Sequence, residues 1–157
     1  MYPELQALIH EAEYSYLGSD NLESLSAHIA TLAEKMNSYK KLRDQEINLF
    51  QEVADKLEAK FPQEDTQVLE NSLQHWLLIT RYCAMAMLLN NPEFLERRLL
   101  EWLTDIVQVR QSQAIDEKVH SLLIVGLSKH LSEQEVAYLS PFLNQAKDYL
   151  TRNSVAV

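Results

Sequence analysis

A chain of 157 residues with 46% hydrophobic content is long enough to bury a core, and that content excludes a disordered protein. Its formal net charge of -9 argues against a general nucleic-acid binder, which needs a basic face to displace counterions, and favours solubility. Two glycines and four prolines leave too little turn chemistry for many strands, so an all-α protein in one domain over residues 1–157 is expected.

Leu5, Leu8, Ile9, Ala12 and Tyr16 recur at helical spacing and predict a first helix over residues 3–16. Gly18 and Ser19 break it, and Asp20 ahead of Glu23 suits the start of a second. Leu22, Leu25, Ile29, Leu32, Ala33 and Met36 form an apolar stripe, and a long helical stretch follows over residues 40–61. Pro62 ends that stretch because proline lacks the donor a helix interior requires. A helix over residues 66–89 carries Leu69, Leu73, Trp76, Thr80, Cys83 and Met87 on one side. Leu77, Ala84 and Leu88 widen that side, which predicts a central helix with several neighbours.

Asn91 as cap and Pro92 at the first position open a helix over residues 92–110, with Leu95, Leu99, Trp102, Leu103 and Ile106 expected inward. A further helix is expected over residues 115–130, in which Gly126 permits a close helix contact. Ser132 and Glu135 make a capping box for the last helix, which runs to about residue 152, with Pro141 expected to give a kink or a stepped start. The tail from Asn153 is expected to fray.

Met1-Tyr2-Pro3-Glu4 lacks the basic flank and apolar run of a secretory signal. The apolar region at residues 76–89 is interrupted by Thr80 and Arg81 and falls short of a membrane span of about 20 residues. The lone Cys83 allows no internal disulfide and no cysteine metal cluster, which suits a reducing cytoplasm.

Arg81-Tyr82-Cys83-Ala84-Met85-Ala86-Met87-Leu88-Leu89, then Asn91-Pro92 and Leu95-Glu96-Arg97-Arg98, resembles the central helix pair of phycobiliprotein subunits. Tyr16-Leu17 with Leu22-Glu23-Ser24-Leu25-Ser26, Phe61-Pro62, and Glu135-Val136-Ala137-Tyr138 are similar to other junctions of that family, in the same order. The resemblance implies a globin-like, phycocyanin-like helical domain with an N-terminal helical extension used for subunit pairing.

The departures bear on mechanism. By the family's spacing from Arg81, the cysteine that anchors a bilin falls at Ser72, and a hydroxyl cannot replace the thiolate nucleophile. The arginine and aspartate that hold the pigment fall at Gln74 and His75, which are poorer partners for a propionate and a charged pyrrole system. The link from Pro62 to Ser72 is shorter than the family's pigment-walling loop, and Trp76 stands where a small residue is usual. Ser72, Gln74, His75 and Trp76 thus outline a degenerate bilin pocket, with no covalent pigment and room at most for a bilin held noncovalently. Cys83 reads as a small buried hydrophobe on the same helix.

Glu11 and Arg81 match an acid and an arginine that meet across the family's subunit interface. A solvated Glu11, and an Arg81 that caps local carbonyls, are the alternatives. The implied role is a phycobilisome-related accessory protein: binding, assembly or bilin handling rather than catalysis, in the cytoplasm or at the phycobilisome on the thylakoid surface. Its partner would be a second copy or a related subunit, with no nucleic acid and no membrane insertion. A haem or sensor globin using His75 and a ligand-free helical adaptor are the other readings. The first is disfavoured because residues 92–110 contain no histidine. No catalytic arrangement, phosphate loop or zinc motif is present.

Overall fold

Prolines and polar caps set most of the helix boundaries in the computed structural model, which describes residues 2–152. The tail expected to fray lies outside those residues. The helices are α1 Pro3–Ala12, α2 Ser19–Lys60, α3 Thr66–Leu89, α4 Pro92–Leu95, α5 Glu101–Arg110, α6 Gln113–His130 and α7 Glu133–Thr151. A π-helical turn, Glu96–Leu100, joins α4 to α5. No strand occurs among the described residues, as the composition implied.

Asp65 caps α3 by accepting from the Gln67 amide, and Asn91 caps α4 by accepting from the Phe94 amide. Both halves of the Ser132–Glu135 capping box are made at the start of α7. Three expectations need correction. First, α1 stops at Ala12, and Tyr14 and Tyr16 stand in solvent. Secondly, the start of α2 is not capped by a side chain; Gly18 is its N-cap and Asp20 sits in the first turn.

The stripe and the long stretch are also one helix of 42 residues, roughly 60 Å long. Asn37-Ser38 does not interrupt it, because the Ser38 hydroxyl turns back to donate to the Glu34 carbonyl within the helix. Thirdly, the π turn inserts an extra residue, so Leu100 and Val107 join Leu95, Leu99 and Leu103 inside. Trp102 and Ile106, expected inward, rotate outward to 46% and 37% exposure. The Trp102 indole N–H then donates to the Arg98 carbonyl at 2.9 Å.

The core is built by the C-terminal half of α2 with α3, α6 and α7, around Leu49, Leu57, Trp76, Ile79, Leu123 and Leu143. α6 crosses α2 closely at Gly126, where an added Cβ would lie 2.5 Å from the Leu49 side chain. Leu49 is itself buried, so any larger residue at position 126 must displace packed core. α2 buries nothing before Ser38, and α1 buries none of its residues. That N-terminal pair therefore projects from the core. It leaves Leu22, Ile29 and Met36, one heptad apart on α2, between 47% and 58% exposed.

Candidate functional site

α3 is the wall from which the site is built. Its inward face includes Ser72, Trp76, Ile79, Cys83 and Met87, at the spacing that brings successive turns onto one side. Ser72 and Trp76 are stacked on adjacent turns, at 3% and 0% exposure. Gln74 lies on the solvent side of the helix and His75 at its edge, half-buried. The four predicted site residues are thus divided: two enter the core and two leave it.

Trp76 does more than fill space. Its indole N–H donates to Asp116 Oδ1 at 3.0 Å, and the Ser112 hydroxyl donates to Asp116 Oδ2 at 2.9 Å. Asp116 comes from the first turns of α6 and is wholly buried. Burial pushes its carboxyl up from 3.8 to about 6, against the opposing pull of the hydrogen bonds from Ser112 and Trp76. One turn further along α6, the His120 ring lies 5.8 Å from the Trp76 ring, and His120 Nε2 is 2.9 Å from Asn144 Oδ1 on α7. Burial holds the His120 imidazole below its ordinary value, partly offset by the Asn144 contact. His75 is likewise held low by burial and by the neighbouring Arg110. Both rings are thereby biased toward the neutral form.

Ser112, Asp116, His120 and Asn144 were not singled out from sequence. A signal existed: Asp116 falls on the same α6 stripe as Val119, Leu123 and Leu127, where an apolar residue would be expected. A polar residue on a core stripe needs a buried partner, but the partner's identity is not a property of the helix that carries it.

Cys83 is fully buried and its thiol is pushed well above the usual range by desolvation, which leaves little thiolate for chemistry. Arg81 is exposed and grips Glu46 of α2 in a two-pronged pair, Nε to Oε2 at 2.8 Å and Nη2 to Oε1 at 2.6 Å. The Arg81 guanidinium is therefore paired with an acid of its own chain and not with local carbonyls. Glu11 is exposed on α1.

Among the described residues no group of three His, Cys, Asp or Glu is placed to hold a metal ion. No described helix is long and apolar enough to cross a membrane. The arrangement can bind and pack: it offers a buried polar lock between α3 and α6, an exposed ion pair and projecting apolar helices. A family model described as "Phycobilisome protein" matches residues 8–150. No curated protein matches the chain.

Proposed function

We propose the following role for this chain, which belongs to the phycobilisome protein family: an accessory protein of light harvesting that carries no covalently attached bilin. The fold is all-α and globin-like. The observation that supports the reading is the buried Ser72 beneath Trp76, with the indole tied to Asp116. At the position of the family's anchor a hydroxyl replaces a thiol, and a tryptophan ring occupies the adjacent turn. Its work is binding: assembly with phycobilisome proteins at the thylakoid surface, or transient handling of a free bilin held noncovalently, for which Gln74 and His75 are open to contact while Ser72 and Trp76 are closed into the core.

Pairing with a second copy or a related subunit uses the projecting α1–α2 pair, whose Leu22, Ile29 and Met36 lie exposed at heptad spacing. Glu11 of one subunit would then share the Arg81 guanidinium of the other with Glu46. Reversing the charge at Glu11 is expected to shift the sedimentation coefficient of the assembled protein toward that of the single chain. An unchanged coefficient removes this contact from the proposal.

The pigment reading is tested by producing the chain in cells that supply bilin and separating it under denaturing conditions with zinc. No bilin fluorescence should travel with the polypeptide. A coloured band that survives denaturation overturns the proposal.

A further inference from the structure

Two clefts meet at Lys35 and Asn90, away from the Ser72–Trp76 segment. The first, of about 270 Å³, lies between α1 and α2 and is lined by Tyr2, Glu4, Leu8, His28 and Lys35, among others. The second, of about 350 Å³, runs along α7 past Pro92, Ala137, Tyr138, Pro141 and Phe142. They share Lys35 and Asn90 as lining residues, and their volumes together fall in the range of sites that hold small organic molecules.

The two limbs differ in character. In the first, the Tyr2 hydroxyl and His28 Nε2 are both removed from solvent and have no hydrogen-bond partner. Tyr2 as a whole is only 9% exposed. Buried polar atoms without partners are rare, and each is costly. At the junction stands Lys35, with its ammonium 5.6 Å from the centre of the Tyr138 ring. Lys35 makes no ion pair within 4.0 Å among the described residues. Burial lowers its pKa, and Glu4 only partly offsets this. The α7 limb is walled mainly by rings and aliphatic groups. Two polar atoms without hydrogen-bond partners and a cation without an ion pair at one end, and an apolar trough at the other, describe one kind of occupant.

We propose that the joined clefts bind an elongated amphipathic carboxylate, its head on Lys35, Tyr2 and His28 and its apolar body along Pro92, Pro141 and Phe142. The carboxylate accepts from all three donors and supplies the partners they lack. α1 buries none of its own residues, so it can shift over the head at small cost. Glu4, which reaches His28 Nδ1 at 3.7 Å with its side chain 75% exposed, turns aside into solvent. The site is independent of whether a bilin is attached at position 72.

The test uses cis-parinaric acid, a fluorescent polyene monocarboxylate, and its uncharged methyl ester, each titrated against the whole chain below its aggregation concentration. The acid should bind saturably, one per chain, and at least tenfold more tightly than the ester. Lys35→Gln should weaken the acid about tenfold and leave the ester unchanged, and Lys35→Arg should restore the acid. Ala137→Trp, which fills the apolar trough, should weaken both. Unchanged far-ultraviolet circular dichroism and melting establish that each variant is folded. Absence of binding, equal affinity for acid and ester, or an acid affinity untouched by Lys35→Gln or by Ala137→Trp would each overturn the proposal.

Discussion

Trp76→Ala is expected to destabilise the protein by about 3–5 kcal/mol, the range for emptying a large aromatic site in a core that relaxes only in part. Two effects add. Trp76 is fully buried, so its removal opens a cavity in the core beside Asp116 and His120. Asp116 also loses the indole N–H that now meets Oδ1, and a buried carboxylate short of a donor is costly. Trp76→Phe separates the two: it keeps most of the ring but removes the N–H, and should cost about 1–3 kcal/mol. Urea unfolding at neutral pH, read by the remaining Trp102, measures both. A loss below about 1 kcal/mol for the alanine variant would show that the α3–α6 lock contributes little.

The second large effect concerns pH. The Asp116 carboxyl is raised to about 6 in the folded protein, against 3.8 when solvated. Between those values the folded state holds a proton that the unfolded state has released. By linkage, this group's contribution falls as pH rises through the window, with full loss above about 6. The total is on the order of 3 kcal/mol at 1.36 kcal/mol for each pKa unit.

The half-buried His75 and the buried His120 act in the opposite sense, since depressed imidazoles lose stability as pH falls. The wild-type profile therefore mixes the two. Asp116→Asn isolates one: it keeps an oxygen to accept from Trp76 and removes the titration. The variant should match the wild type near pH 4 and exceed its stability by a few kcal/mol near pH 7.5. Parallel profiles for the two proteins would mean that Asp116 does not titrate in this window.

The helix boundaries were legible where local chemistry sets them. Asp65, Asn91-Pro92 and the Ser132–Glu135 box act on backbone groups within a few residues, so their effect is written in adjacent letters. The continuity of α2 was less so, because the apolar stripe that ends at Met36 and the stretch over residues 40–61 are separated by polar residues that local spacing does not assign to either. The inward set of residues 92–110 was misread from one cause. A π turn changes which side chains face the core, and a search at a fixed period of 3.6 cannot register a single inserted residue.

In the site, a hydroxyl at Ser72 and the bulk of Trp76 were readable, since both are matters of residue identity. That Trp76 is anchored by Asp116, and that Gln74 turns to solvent, were not. The Trp76–Asp116 bond joins residues 40 apart in the chain. Arg81 shows the same limit. The resemblance pointed Arg81 to an acid of another subunit, whereas Glu46 of its own chain is brought to it by the packing of α2 against α3.

By itself the sequence determined an all-helical chain, its caps and breaks, its family and the absence of a thiol at position 72, because each rests on local spacing or on what a residue chemically is. Only the tertiary structure decided which polar groups share the interior, which acid holds Arg81, and that unpaired donors gather beside Lys35. Those choices depend on how distant helices cross, and a pattern within one helix does not specify its neighbours.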